Sequence, residues 1–487
     1  MATSIAGVGN ISSAGIGSGL DVSSIVSKLM SIERAPLNQL ESQASGFNAK
    51  LTTLGKLQSQ YATLRDKANA LVSTTLWTST SAAASDSAVL KVSTASNAVA
   101  GNYAVAVNRL AVGQTVIGAA QADSHTALGA GSLTIELGSY GDGTPAAGFS
   151  AKSGSTPVTL TIADADSSLA GLRDKINAAN AGVLASIVSD ASGARLSIRS
   201  RETGAENAFR IRSTEASDDG NPASGLSALA YDASAASPGL LRTTSAANAD
   251  LSINGISVTS ASNTLNNVVD GLTMTLQKTS TAPVDVTVKS DTDAVRGAVT
   301  DFVAAFNTLA GFLHSQTAYN ADNKTAGSLQ GDQGALGMLS QLRGVLNEGS
   351  SASTLWGRLS DVGLVQKTDG TLDTSASKLD NALENLGELR KLLATDGPSS
   401  GGSGFVRRFK RLADDALGAS GAIDSRSSGL RSSVSRNSKS QTAAQKRLDQ
   451  TEARLRAQYS ALDTTMAKLN TTSAYVKQQF SRNSSNG

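Results

Sequence analysis

Cysteine is absent from the 487-residue sequence, and histidine, aromatic and charged residues are scarce. Without cysteine there can be no disulfide scaffold, no cysteine-ligated zinc or iron–sulfur site and no thiol nucleophile. His125 and His314 are the only histidines, so a multi-histidine metal site is not expected. Long apolar runs are also missing, which predicts that no segment spans or inserts into a membrane.

Charge of either sign is limited and nearly balanced. The 42 Lys+Arg and 40 Asp+Glu leave a net charge of +2, and charged residues make up 17% of the chain. A general nucleic-acid-binding protein needs a concentrated positive field, so this composition argues against one. The N-terminus has neither a basic segment nor a continuous apolar segment, so no cleaved secretory signal is expected.

The period of the apolar residues divides the chain into a helical, a β-rich and a second helical block. The sequence predicts an α+β multidomain protein, in which N- and C-terminal helices pair as a coiled coil or helical bundle around a central inserted pair of β-rich domains. The predicted domains are residues 1–35 as a leader and helix, 36–79 with 291–417 as a helical domain, 80–112 with 243–290 as a β-rich domain, 113–242 as an inserted β-rich domain, and 418–487 as a C-terminal coiled coil.

The first block contains two predicted helices. Asp21 is a suitable N-cap for an apolar face that runs from Val22 to Ile32. Pro36 is expected to end or restart the helix. Beyond it, a heptad seam is interrupted by polar Gln43 and Lys50. Its apolar residues at seven-residue spacing are Leu40, Phe47, Leu54 and Tyr61.

A second heptad repeat lies near the C-terminus. Its members, spaced by seven, are Leu448, Leu455, Leu462, Leu469 and Val476. The alternate heptad positions, four residues after each of these, are half polar. The helix would therefore be only weakly stable without a partner. The two heptad-bearing ends therefore need partners, either each other or the same helices in neighbouring subunits, and an oligomer is expected.

Alternating β-branched runs predict the strands of the central block. Residues 251–258 read as one such strand, and residues 158–200 read as a compact unit of one strand, one helix and two further strands. In the third block, leucines from Leu379 to Leu393 predict a single helix, and Leu336 begins another apolar face.

Catalytic signatures are missing. The glycine loop at residues 15–19 follows no strand and lacks dinucleotide-binding spacing. Asp322 and Asp332 flank a glycine-rich turn without calcium-loop spacing, so both are interpreted as turn formers. Residues 405–487 carry 15 Lys+Arg against 6 Asp+Glu, an excess typical of the solvated face of a coiled coil. The sequence predicts neither an enzyme nor a bound cofactor or metal.

Several motifs resemble the flagellar hook-associated protein 2 family, the filament cap proteins. The N-terminal motif includes Gly17, Ser18, Gly19, Leu20 and Asp21. Residues 33–37 and the Asp-Gly-Thr-Leu turn at 369–372 resemble further family segments. Residues 161–200 resemble the short "IN" repeat of flagellins and hook-associated proteins. The resemblance extends over nearly the whole chain, apart from much of residues 111–242.

The resemblance implies a function that periodicity alone does not. Family members leave the cell unfolded through the flagellar type III apparatus, with a cytoplasmic export chaperone, and are thus secreted. They form a ring, often of five subunits, at the distal filament tip, where they retain flagellin and promote its folding and polymerisation. Helical ends would contact the filament and β-domains would form a plate. We also expect the first twenty residues to be disordered in the free subunit and needed for export.

Two other functions remain open from the sequence. A hook–filament junction protein would share the terminal heptads and the export route. A flagellar-tip adhesin could bind host glycans through residues 111–242. A nucleic-acid-binding coiled coil is a third and more distant interpretation.

Overall fold

The computed structural model describes residues 21–142, 146–235, 239–322 and 324–484. The chain forms two compact units, one made of Met1–Leu76 with Asp293–Gly487 and the other of Trp77–Thr292. The helices are α1 (Val22–Glu33), α2 (Ala35–Val72), α3 (Thr74–Thr78), α4 (Leu169–Ala178), α5 (Thr292–Thr317), α6 (Gln333–Asn347), α7 (Ala376–Leu383), α8 (Leu386–Ala394), α9 (Phe405–Leu417) and α10 (Ala422–Ser484).

All sheets in the described residues are antiparallel. Their strands are β1 (Thr80–Ala84), β2 (Leu90–Thr94), β3 (Gly101–Arg109), β4 (Thr115–Ile117), β5 (Gly131–Tyr140), β6 (Phe149–Ala151), β7 (Val158–Ile162), β8 (Val183–Asp190), β9 (Gly193–Ser200), β10 (Ala208–Glu215), β11 (Leu241–Thr244), β12 (Ala249–Ile253), β13 (Ile256–Ser260), β14 (Thr264–Asn266), β15 (Leu272–Leu276), β16 (Val284–Ser290), β17 (Tyr319–Asn320), β18 (Thr325–Ala326), β19 (Leu364–Gln366) and β20 (Leu372–Thr374).

The N-terminal helices begin and end as their sequence predicts. The Asp21 carboxylate accepts a hydrogen bond from the Ser24 backbone N–H at 2.9 Å and so caps α1. Pro36 lies in the first turn of α2, where its missing N–H costs no helical hydrogen bond. Val26 is buried on the predicted apolar face, but Ile32 at its far end is exposed.

The core of the first unit forms around the C-terminal half of α2, which packs against α9. Phe409 of α9 contacts Phe302 and Phe306 of α5, with ring centroids 5.6 and 5.3 Å apart. Lys67 of α2 forms a 2.7 Å ion pair with Asp301 of α5. The helical block is therefore one packed bundle that unites segments from both ends of the chain.

One prediction in this bundle is wrong, and another is wrong at its first residue. The single helix expected from Leu379 to Leu393 is divided into α7 and α8, because Asn385 leaves helical geometry (φ −119°, ψ 59°) and its carbonyl accepts the first hydrogen bonds of α8. Asparagine favours such local alternatives to helical pairing. The apolar face predicted to begin at Leu336 is buried at Leu339 and Leu342, but Leu336 itself is 40% exposed.

The second unit contains two hydrophobic cores. One lies between a five-stranded sheet, in the order β1-β16-β3-β12-β13, and a three-stranded sheet, in the order β14-β15-β2. The strand predicted over residues 251–258 is in fact a hairpin. Asn254 and Gly255 adopt positive φ angles of 50° and 83°, as a tight turn requires, and so separate β12 from β13.

The other core lies between two four-stranded sheets, together with α4. One sheet has the order β10-β5-β6, with β7 also paired to β5, and the other has the order β11-β4-β9-β8. The predicted compact unit over 158–200 is confirmed as β7, α4, β8 and β9. The Ser168 hydroxyl caps α4 by accepting from the Gly171 N–H at 3.1 Å.

Candidate assembly surface

The heptad-bearing helices of the first unit pair in an antiparallel manner. The Gln441 side-chain amide of α10 donates to the Leu40 carbonyl of α2 at 3.3 Å, and the Asn437 amide donates to the Gln43 side-chain oxygen at 3.4 Å. Residue numbers therefore rise along α10 as they fall along α2. Leu37 and Leu448 are buried, which continues the contact toward the N-terminus of α2.

A polar cluster interrupts this helix pair. Asn437 is only 6% exposed, and its side-chain oxygen accepts a 2.7 Å hydrogen bond from the Gln441 amide. Gln43, which breaks the predicted α2 seam, is the partner across the interface. Polar residues at such positions fix the register of paired helices and reduce their stability. The spacing of seven from buried Ile423 through Leu430 to Asn437 could have revealed this cluster.

An ion pair between buried Asp332 and the half-exposed Arg426 anchors the beginning of α10. An Asp332 carboxylate oxygen lies 2.7 Å from the Arg426 guanidinium, and the Asp332 side chain is 4% exposed. The same carboxylate caps α6 by accepting from the Gly334 and Ala335 N–H groups. The predicted turn-forming role of Asp332 is therefore only part of its contribution, because it also ties α10 to α6.

The structure separates the predicted seam residues into buried and exposed groups. Leu54 and Tyr61 are buried, as is Leu448, while Leu40, Phe47 and Leu455 are partly exposed. Burial raises the pKa of the Tyr61 hydroxyl above its ordinary value. That hydroxyl has no hydrogen-bond partner among the described residues. The α2 seam thus belongs mainly to the core of the unit.

The remaining C-terminal seam residues lie at the surface. Leu462, Leu469 and Val476 are 46%, 59% and 44% exposed. We call the apolar line that they form with the alternate heptad positions the distal stripe. Its members are Leu455, Tyr459, Leu462, Met466, Leu469, Val476 and Phe480. Exposed apolar patches on a protein surface are typical of sites of association.

The apolar face of α10 changes position along the helix. In the first half, the buried line includes Ile423, Leu430 and Asn437. In the second half, the corresponding line is displaced by one residue and includes Tyr459 and Met466. One residue corresponds to about 100° around a helix. The alternate positions of the distal stripe are therefore displaced from the Ile423–Asn437 line, whereas Leu455, Leu462 and Leu469 continue the line of Leu448 toward the C-terminus of α10.

The remaining candidate sites lie in other parts of the chain. The motif residues Gly17, Ser18, Gly19 and Leu20 lie outside the described residues, as do the first twenty residues for which disorder is expected. Among the described residues, the one group of acidic side chains close enough to share a metal ion is Glu215, Asp218 and Asp219. No helix in the described ranges combines the length and apolarity needed to cross a bilayer.

Comparison with protein-family models gives matches over most of the chain. The model described as the flagellar hook-associated protein 2 C-terminus matches residues 246–471, and the corresponding N-terminus model matches residues 18–114. The flagellin hook IN motif matches residues 149–202. These ranges include α2, α10 as far as residue 471, and the inserted compact unit.

Similar proteins agree with these matches. Flagellar hook-associated protein 2 of Escherichia coli (strain K12) is 32% identical, with 98% of this chain and 99% of that protein covered. The B-type protein of Pseudomonas aeruginosa is 31% identical over 92% of this chain and 93% of its own length. The crystal structure of the D1-D2-D3 domains of the flagellar cap protein FliD from Escherichia coli aligns with a TM-score of 0.57 at 31% identity, covering 78% of this chain and 99% of that chain.

Proposed function

The chain belongs to the flagellar hook-associated protein 2 family, the filament cap proteins, and on that basis we propose that it lies at the distal tip of the bacterial flagellar filament. There it retains exported flagellin and promotes the folding and polymerisation of each new subunit. Its role is structural, and its action consists of steric confinement and repeated docking without covalent chemistry.

The distal stripe is the observation that carries this proposal. Four of its side chains (Leu462, Leu469, Val476 and Phe480) are exposed on a helix whose other half is anchored to the same unit. Burying one such leucine or phenylalanine contributes about 1.5–3 kcal/mol. A short stripe therefore supports a contact strong enough to hold the cap in place and weak enough to be released when a new subunit is added.

The cap acts as a ring of identical subunits, with five as the expected number. The helical ends extend toward the filament and the β-rich domains form the plate that confines flagellin. Before assembly, the subunit leaves the cell through the flagellar export apparatus, delivered by a cytoplasmic chaperone. Its partners are thus other copies of itself, flagellin and the export machinery.

Immunogold electron microscopy of intact cells tests the location, using antibody against the β-rich unit. The proposal predicts label at distal filament tips. Label at the boundary between hook and filament would instead favour a junction protein. Label confined to the cytoplasm would contradict a flagellar role. A strain without the gene provides the control for antibody specificity.

A further inference from the structure

The two sheets that enclose the inserted core differ in the chemistry of their outer faces. The outer face of the β10-β5-β7 sheet is polar and internally paired. Arg210 forms a 2.7 Å ion pair with Glu136, and the Thr134 and Thr159 hydroxyls share a hydrogen bond at 2.9 Å. The polar side chains of this face therefore bond to one another.

The outer face of the opposite sheet is partly apolar. Leu241 is 67% exposed and lies beside Ile117 on β4, while Val188 on β8 is 51% exposed and lies beside Arg195 on β9. These side chains point away from the core because the inward positions of the same strands are buried. An exposed apolar sheet face of this kind is typical of a contact surface.

A row of arginines crosses this face. Arg195, Arg199 and Arg201 occupy alternate positions at and just beyond β9, so they lie on one side of the sheet. Within the described ranges no ion pair joins any of the three to a carboxylate. Residues 113–242 carry 13 Asp+Glu against 9 Lys+Arg. A positive row within an acidic domain favours an acidic occupant.

The same domain presents an acidic surface elsewhere. Glu215 at the end of β10 and Asp218 and Asp219 in the following loop hold carboxylate oxygens within 4.8 Å of one another. In the described part of the chain, none of these carboxylates forms an ion pair with a basic side chain. Three clustered negative charges at the edge of one sheet thus complement three arginines on the face of the other.

We propose that the outer face of the β11-β4-β9-β8 sheet binds a second copy of this chain, and that its arginine row receives the Glu215–Asp218–Asp219 cluster of that copy. Ile117, Val188 and Leu241 supply the apolar part of the contact. Two different patches meet, so the contact is heterologous and repeats from copy to copy. It specifies a subunit interface for the ring that the proposed cap function requires.

Charge reversal in the full-length chain tests this interface. R195E/R199E is expected to weaken self-association by about tenfold or more in analytical ultracentrifugation, because like charges would face each other. R212E is the matched control, since Arg212 lies on the polar outer face of the other sheet. Circular dichroism confirms that each variant is folded. Unchanged self-association of R195E/R199E would overturn the proposal.

The identity of the occupant is tested by a charge swap. Adding D218R/D219R to R195E/R199E should restore the association, and failure to restore it would overturn the acidic cluster as partner. Because the chain has no cysteine, S197C and S217C can be mixed as single-cysteine proteins. They should form a disulfide-linked pair, whereas S197C mixed with T134C should not. If these experiments confirm the interface but the antibody does not label filament tips, the proposed cap location is refuted and the interface is not.

Discussion

The two halves of α10 show how one helical repeat can serve two purposes. In the proximal half, residues 422–448, apolar side chains are buried and Arg426 and Asn437 make bonds to other helices. In the distal half, residues 449–484, Leu455 is partly buried, whereas Leu462 and Leu469 are exposed and Phe480 is 73% accessible. The proximal half fixes the helix to its unit, and the distal half offers the same kind of surface to a partner.

This difference shows that a heptad repeat identifies an apolar seam but not the molecule that covers it. The proximal seam is satisfied within the chain, and its polar cluster fixes the register. In the distal stripe, Leu455, Leu462 and Leu469 continue the line of Leu448, and only the alternate positions are displaced by one residue beyond Thr451. Substitutions in the proximal half should therefore change the stability of the chain, whereas substitutions in the distal half should impair assembly.

The largest effect is expected in the distal half. L455E/L462E should abolish filament growth, because charges replace apolar side chains at the docking surface, while the β-rich unit stays folded. Electron microscopy of filaments and a motility assay measure the outcome. A457E/T464E is the matched control on the opposite side of the helix, where it should leave filaments normal. Normal filaments from L455E/L462E would refute a docking role for the stripe.

In the proximal half, loss of the Asp332–Arg426 ion pair should reduce stability. D332A removes both the partner of Arg426 and the α6 cap, so we expect about 1–2 kcal/mol of destabilisation. Urea unfolding of the full chain measures it. D322A removes an exposed carboxylate from the nearby turn and should change the stability little. Equal effects of the two variants would show that α10 is not anchored through Asp332.

Replacing the polar cluster should strengthen the proximal pair at the expense of its register. N437L/Q441L is expected to stabilise the helix pair by about 1–2 kcal/mol, since apolar residues replace a weakly bonded buried network. The exposed variant S438L/S440L provides the comparison. Cysteine pairs introduced across α2 and α10 should cross-link in more than one register in N437L/Q441L. A destabilised protein with a single register would contradict this interpretation.

The smallest expected effect is a loss of stability at alkaline pH that arises from Tyr61 in the core of the first unit. Burial raises the pKa of Tyr61 in the folded state, so the unfolded chain loses its proton first as pH rises above the ordinary tyrosine value near 10. Stability is therefore full below that pH and falls above it. Y61F should lose less stability at alkaline pH and gain about 1 kcal/mol at neutral pH by removing an unpaired hydroxyl.

Tyr475 in the distal half is the matched control for this titration, because it is 61% exposed. Y475F removes an exposed hydroxyl and should leave the stability of the folded chain nearly unchanged. If both variants altered the alkaline stability equally, the effect would not arise from burial in the core. Thermal unfolding at a series of pH values distinguishes these outcomes.

Local chemistry in the sequence predicted much of the fold. Asp21 as a cap, Pro36 as a helix boundary and the strand–helix–strand–strand unit all follow from short-range patterns, and the structure confirms them. The hairpin at Asn254 and Gly255 was also signalled by its residue types, but the alternation of apolar residues on both sides concealed it. Asn385 divides a helix without disturbing its leucine spacing.

The candidate surface was harder to predict because it depends on distant contacts. The repeat from Leu448 to Val476 indicates a seam, yet no local pattern distinguishes buried Leu448 from exposed Leu469. That difference depends on contacts with distant helices, because both α1 and α2 pack against α10. Asn437 and Gln441 were not predicted as interface residues, because a search for regularly spaced apolar residues does not detect polar ones. Their side chains nevertheless donate hydrogen bonds to the Gln43 side chain and the Leu40 carbonyl across the helix pair.

The most direct test of the central claim is the accessibility of the distal stripe before and after assembly. L469C introduces the sole cysteine of the chain, which a maleimide reagent should modify rapidly in the free subunit. In capped filaments the same position should be protected, while T464C on the opposite side of the helix stays reactive. Equal reactivity of L469C in the free and assembled states would contradict docking through the stripe.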